Sequence, residues 1–400
     1  MSLLKIRNDF IFLDDNKWIY FDNACQSLRP KQVIEAITQY YSHYPICSGR
    51  SNYRLAVELQ QKLTDVRLTV SKFIGAKKPN EIIFTRNTTE GINLIASSYP
   101  FAEGDVVLIS DKEHNSNLVP WLLLAKTKKI KVEVVSTNPD NTWNWESFNQ
   151  KLSNKVKMVA LGITSNLDGA TIPFEEIIKK SHQFGAKVLL DGAQWAGHHQ
   201  TEVSKWNTDF FVFSGHKTLG PTGTGVLYGK ETELAKLNPY QVGGSTVADT
   251  SYTDFELLGV PERFEAGLQD YSGILGLGEA LRYLRAIGWG EIEAHEKELS
   301  KIMIDGLEKI SDINIIGPKE SDKRNGIVSF YHPKAESHQT SIILDQTANI
   351  MVRSGRHCVH SWFNARGIKD CVRASLSFYN TTEEAEKFVN ELKKVIGVLA

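Results

Sequence analysis

The sequence predicts an open α/β protein: a doubly wound, mainly parallel sheet followed by a smaller α+β domain. Three observations carry that prediction. Short apolar runs alternate with helical segments through the first two-thirds of the chain, as crossover connections require. Each run ends in polar residues, and in an open α/β sheet ligands bind beyond the carboxyl ends of the parallel strands. From about residue 290 the pattern changes to short strands between helices. A chain of 400 residues has room for two domains. Residues 1–20 read as an arm packing with the small domain, 21–288 as the large, ligand-binding domain, and 289–400 as the small one.

Composition narrows the class. Hydrophobic residues make up 41% and charged residues 23%, the balance of a soluble globular protein. A formal net charge of −1 draws the chain neither to nucleic acid nor to an anionic membrane. The N-terminus has no basic-then-apolar leader pattern, and no run of about 18 apolar residues occurs, so a cytoplasmic protein is expected. Cys25, Cys47, Cys358 and Cys371 are scattered without CxxC spacing, so neither a metal site nor a disulfide framework is expected. The basic run at 126–131 reads as the solvated end of a helix.

The elements follow in order. After the arm come a strand-like WIYFD and a loop over 23–30. Pro30 opens an amphipathic helix with Val33, Ile34, Ile37 and Tyr41 at helical spacing. The polar loop 47–54 precedes a helix over 55–73, and Arg50 within it is a candidate substrate-gating residue or plain surface decoration. A strand at 81–84 turns through TRNTTEG into a helix. Thr88 and Thr89 fall at its start, where unpaired amides and the positive helix end can cradle a phosphate; simple N-capping is the alternative. The strand 106–110 ends in DKEHNSN, where His114 can stack on a flat ligand, shuttle a proton, or sit exposed. The strand 156–164 ends near Asn166, whose amide can donate to a ligand oxygen.

The centre of the chain is the stretch 188–229. Strands at 188–191 and 209–213 run straight into Asp191 and Gln194, and into Ser214, His216 and Lys217. Gly220, Pro221, Gly223 and Gly225 follow, a backbone suited to approach a ligand closely. A lysine and a carboxylate at neighbouring strand ends suit pyridoxal phosphate: the lysine forms the Schiff base and the carboxylate keeps the pyridine nitrogen protonated. An ordinary ion pair and a P-loop-like phosphate enzyme are the alternatives, though no GxxxxGK[ST] is present.

Beyond residue 229 come a short helix, a loop at 241–246 with Gly243 and Gly244, PERFEAG, and helices over 274–287 and 292–310. Short strands are expected near 313–316, 326–331, 350–353 and 372–378. A capping box, TTEE at 381–384, opens the last helix. In VRSGRHCVH, Cys358 is flanked by Arg353, Arg356, His357 and His360. Positive charge favours thiolate, so Cys358 is expected to be the most reactive of the four cysteines; burial as a small hydrophobe is the ordinary alternative. Cys25 and Cys371 are assigned structural roles, Cys47 none, and His198-His199 reads as a solvated turn.

With these residues in place, the chain resembles the class V, fold-type I pyridoxal-phosphate enzymes, and among them the SufS-like group of cysteine desulfurases and selenocysteine lyases. The motifs are NTTEGIN, EHNSNLVPW, TSNLDGA, VLLDGAQ, FVFSGHKTLGPTGTG, RFEAG and VRSGRHC, spread from YFDNACQSLRP to VRASLSFYNTTEEAE. The resemblance implies a large domain with a mainly parallel seven-stranded-type sheet and pyridoxal 5'-phosphate as cofactor. It implies Lys217 as the Schiff-base lysine, Asp191 on the pyridine nitrogen, Gln194 on the ring hydroxyl and His114 stacked on the ring. Thr88, Thr89, Ser214 and His216 would hold the phosphate. Asn166, Arg353 and Arg373 would line the substrate pocket, with Arg373 gripping the carboxylate, and Cys358 would accept sulfur. A homodimer with sites at its interface is also implied. Three positions depart from the family pattern: Arg356 in the RxGHHC motif, with VHSWFN after the cysteine; Leu268 in place of the threonine of FEAGT; and Asn115 in place of the second histidine of EHH.

The implied activity converts L-cysteine to L-alanine through a Cys358 persulfide, whose sulfur passes to an acceptor or iron–sulfur scaffold protein. Selenocysteine lyase and another class V lyase or aminotransferase are alternatives in which Cys358 is dispensable. A non-catalytic scaffold partner is an alternative of another class, at odds with intact Lys217, Asp191 and Arg373.

Overall fold

The computed structural model describes residues 3–13, 17–49 and 51–400; Arg50 lies outside them. Its central sheet has seven strands in the order Ile82–Thr85, Gly225–Gly229, Phe210–Ser214, Lys187–Asp191, Val156–Gly162, Val106–Ser110, Lys131–Val135. Six run in one direction; only Gly225–Gly229 opposes its neighbours. The strands are nearly continuous apolar runs because both faces are covered, and successive side chains go to opposite faces. Val106, Leu108, Phe211 and Phe213 enter the core on one side. Val107, Ile109, Phe210 and Val212 enter the core on the other. Helices such as Thr88–Ser98 and Phe174–Gln183 cover these faces, each by its apolar side.

A second sheet has four antiparallel strands in the order Asn314–Ile316, Ile327–Tyr331, Cys371–Ser375, Arg353–Gly355. Helices Trp289–Leu307 and Thr382–Leu399 pack on it around Leu299, Phe388 and Leu392. The expected capping box is present: Thr381 Oγ1 accepts from Glu384 N, and the Glu384 carboxylate accepts from Thr381 N. Two expectations are corrected. The stretch 350–353 is divided, because Ile350–Met351 pairs in parallel with Ile19–Tyr20 whereas Arg353–Gly355 joins the four-stranded sheet. In the helix Lys31–His43, Val33 is buried but Ile34 and Tyr41 are exposed. The helix Ser337–Ala348 has no strong helical period and was not anticipated.

The two sheets are tied by a buried polar network. Lys112 Nζ lies 3.2 Å from Asp168 Oδ2 and donates to Asn141 O at 2.7 Å. Asn141 Nδ2 donates to Asp168 Oδ2 at 2.9 Å, and Trp362 Nε1 donates to Asn141 Oδ1 at 3.2 Å. Asp168→Ala would strand the buried Lys112 ammonium and cost about 3–5 kcal/mol. Chemical denaturation should show a midpoint well below wild type; an unchanged midpoint would mean that the pair contributes nothing.

Candidate active site

The carboxyl ends of five parallel strands meet at a cavity of about 300 Å³, within the range for small-molecule sites. Thr88, Thr89, His114, Asn166, Asp191, Gln194, Ser214, His216 and Lys217 all line it from the large sheet, and Arg353, Cys358 and Arg373 from the small one. Residues spread over almost three hundred positions are therefore brought together as the sequence indicates.

One end of the cavity is an anion cradle. Asn87, not a threonine, caps the helix Thr88–Ser98, its Oδ1 accepting from Glu90 N at 2.9 Å. The threonine hydroxyls are thereby left for other partners. Thr88 Oγ1 lies 2.7 Å from Ser214 Oγ, which also accepts from Thr88 N at 2.8 Å. Thr89 Oγ1 lies 2.7 Å from Ser116 Oγ. A Cβ on Gly225 would stand 2.6 Å from Asn87 Cα, so only glycine lets this loop approach the sheet.

The middle of the cavity holds the titratable groups. Asp191 is buried, and its Oδ1 accepts from Ala193 N at 2.9 Å. Burial raises its proton affinity, with that backbone bond and Lys217 opposing. Burial drives Lys217 toward the neutral amine; Asp191 pulls the other way and Arg373 reinforces burial. Lys217 Nζ makes no hydrogen bond among the described residues. His114 is pushed down to about 3 by burial, then by Lys217 and Arg373. Its Nδ1 accepts from Ser116 N at 3.1 Å. His216 is pushed down to about 4 by burial and Lys217. Gln194 Nε2 donates to Ala24 O at 2.8 Å, which fixes its amide in the wall.

The far wall is cationic. Arg353 and Arg373 face each other directly on adjacent antiparallel strands, a like-charge pairing that destabilises a sheet unless neutralised. Asp22 offsets half of that charge. Its carboxylate accepts from Arg353 Nη2 at 2.8 Å and Nε at 3.0 Å, and from Arg373 Nη2 at 3.4 Å. Arg373 Nη1 donates to Asn166 O at 2.9 Å, while its buried Nε has no partner among the described residues. Part of the Arg373 fork is therefore already engaged.

Three readings of the sequence are corrected here. The cations around Cys358 are held elsewhere. Arg353 is on Asp22, Arg356 donates to Lys369 O and Asn364 Oδ1, and His360 Nδ1 pairs with Asn115 Nδ2 at 3.0 Å. No hydrogen bond reaches Cys358 Sγ among the described residues, and the residue is exposed. Cys25, assigned a structural role, is a half-buried cavity residue. His198 and His199 are not a solvated turn: His198 Nδ1 lies 2.9 Å from Glu296, and His199 stacks on Trp195 with centroids 4.2 Å apart. Cys371 is buried, as expected.

Sequence reasoning also passed over Asp22 and Glu113. Asp22 enters the site through its bridge to Ser375, a pairing with no local signal. Glu113 is buried in the cavity wall, accepting from Ser110 Oγ, Asn117 Nδ2 and Gly162 N. Burial raises it to about 7 against those bonds. Its position beside His114 was the only available clue.

Burial sorts the thiols. In the native protein a small maleimide should modify Cys358 and Cys25 and spare Cys371 until denaturant is added, as peptide mass spectrometry would read. Modification of Cys371 at the rate of Cys358 would contradict this packing.

The class-V aminotransferase family model matches residues 19–388. The cysteine desulfurase of Shigella sonnei is 37% identical over 406 aligned residues, which span 100% of this chain and 99% of that protein. The apo structure of a cysteine desulfurase from Thermococcus onnurineus NA1 is 37% identical, with a TM-score of 0.96 over 100% of this chain and 99% of that one. The S-sulfonic acid form of the cysteine desulfurase CsdA from Escherichia coli is 29% identical, with a TM-score of 0.92 over 100% of both chains. With its sheet order, the convergence on Lys217 and these matches in agreement, the chain belongs to the class-V aminotransferase family.

Proposed function

We propose that this chain is a pyridoxal-phosphate-dependent cysteine desulfurase that converts L-cysteine to L-alanine and holds the sulfur as a persulfide on Cys358. The observation that carries it is one cavity in which Lys217 and Asp191 face Cys358 and Arg373. Relatives bearing that activity in their names, at 37% identity over the full length, support it.

The residues present fit the cofactor. The cradle of Thr88, Thr89, Ser214 and His216 suits its phosphate, Asp191 its pyridine nitrogen, Gln194 its ring hydroxyl, and Lys217, with no hydrogen-bond partner of its own, its aldehyde. Buried Asp191 is a carboxylate that a ring N–H would satisfy. When bound, pyridoxal phosphate supplies an electron sink for charge developing at the substrate Cα.

The chain's own groups supply the rest. The orphaned Arg373 Nε, with Asn166 and Arg353 beside it, binds the substrate carboxylate. Lys217 Nζ, held toward the neutral amine, takes the Cα proton. His114 stays neutral in the physiological range and would offer the cofactor a flat uncharged surface. Cys358 Sγ attacks the substrate sulfur; the C–S bond breaks and an S–S bond forms. In balance, L-cysteine and the Cys358 thiol give L-alanine and the Cys358 persulfide.

Exposed Cys358 favours onward transfer to an acceptor or iron–sulfur scaffold protein. The exposed apolar side chains of Val242, Tyr252, Phe255 and Leu268 support a homodimer. Within the chain, the small domain begins after Gly288, whose φ of 95° separates two long helices. No helix among the described residues is long and apolar enough to cross a membrane.

Alanine and sulfide release from L-cysteine with a reductant tests this reading. Lys217→Ala should lower alanine formation by about 10²–10⁴-fold. Cys358→Ala should abolish persulfide formation and sulfur transfer while the protein still takes up the cofactor and turns yellow. Full turnover of L-cysteine by Cys358→Ala would sink the role assigned to the thiol.

A further inference from the structure

His357 takes no step in that chemistry, yet it is the most constrained residue beside Cys358. It is 8% exposed and lines the cavity wall. Its carbonyl accepts from Asn166 Nδ2 at 2.7 Å, and its Nε2 lies 3.2 Å from the buried Cys371 Sγ. His357 and Cys358 both adopt left-handed backbone, with φ of 47° and 59°. Neither is glycine, so both conformations are strained and persist only where the surroundings impose them.

A backbone bond from Val359 N to Arg356 O, at 2.8 Å, closes this turn but does not place it. Placement comes from three anchors. Asn166 holds the His357 carbonyl, Cys371 holds the imidazole, and Asn115 N donates to the Cys358 carbonyl at 2.7 Å. Each anchor is next to, or within two residues of, a group of the site. Asn166 also accepts from Arg373, Cys371 precedes Arg373 by two positions on one strand, and Asn115 follows His114. A histidine serving only as core would not leave a buried ring nitrogen orphaned, yet His357 Nδ1 has no partner among the described residues. Burial, then the charges of Arg373 and Arg353, keep the ring uncharged.

We infer that His357 is a positioning residue: clamped by Cys371 and Asn166, it imposes the strained turn that presents the Cys358 thiol to the cavity. Substrate pocket and thiol thereby share one hydrogen-bonded frame. The inference rests on the desulfurase reading, since presentation of a thiol matters only where the thiol reacts.

The test uses cofactor-loaded enzyme and two substrates. Sulfur must be pulled off by the thiol, whereas selenium leaves far more readily from the same carbon skeleton. His357→Ala should lower the rate of Cys358 persulfide formation from L-cysteine by about 10²-fold, the scale of an ångström of misplacement. KM for L-cysteine, the cofactor absorbance and turnover of L-selenocysteine should stay near wild type. His357→Gln, whose amide reaches the Nε2 position, should restore much of the loss. Cys371→Ala removes the anchor without touching the turn, should weaken persulfide formation in the same direction, and decides the matter if His357→Ala does not fold. Undiminished persulfide formation in these variants, or equal losses on both substrates, would overturn the inference. Wild type that forms alanine and persulfide while the variants match it sinks only this role; wild type that forms neither sinks the desulfurase reading itself.

Discussion

Strands that run the same way must end on the same edge of a sheet, and there the chain has to turn through loops whose amides are not all paired. Six of the seven central strands share that direction. Their two faces are buried under Val, Ile and Phe, so the loops start from fixed points. Side chains placed one to four residues beyond each strand then have little choice but to converge. The single opposed strand contributes as well. It brings Gly225 under Asn87, which lets the Thr88–Ser98 helix start against Ser214.

The opposite wall obeys a different constraint, charge balance. Two guanidinium groups on paired strands are held by the one carboxylate of Asp22. The loop carrying Asp22 is itself bound to the lysine turn, since Ser27 N donates to His216 O and Ser27 Oγ accepts from Leu219 N. Both sheets therefore meet through a short N-terminal segment. Two arginines against one aspartate leave a positive charge over, which an incoming carboxylate can match at the unpartnered Arg373 Nε.

Much of this was legible because it is local. A strand followed by its polar cluster is written in consecutive residues, so Asp191, Ser214 and Lys217 could be read from the stretch 188–229 alone, and the capping box of the last helix likewise. Asp22 and Cys25 could not. They matter because residues 22 and 375 bridge across the whole chain, and nothing near YFDNAC announces that partner. The exposed Ile34 and Tyr41 show the converse limit. Helical spacing marks an apolar stripe but not whether this chain or another surface covers it.

The cations expected to polarise Cys358 are engaged elsewhere, and the reason is geometric. Adjacent arginines and histidines in sequence suggest a polarised thiol, but a side chain can reach past its neighbour, and three of the four bond to other partners. The fourth, His357, turns its ring to Cys371. What separates the two small-domain cysteines is surroundings of another kind. Cys371, fully buried in a central strand, is pushed up to about 12 and kept as an inert thiol. Cys358 stands on a strained turn lining the cavity, and no hydrogen bond reaches its sulfur among the described residues. The distinction lies in where the backbone puts each sulfur, and the buried one meets the ring of the residue that precedes the exposed one.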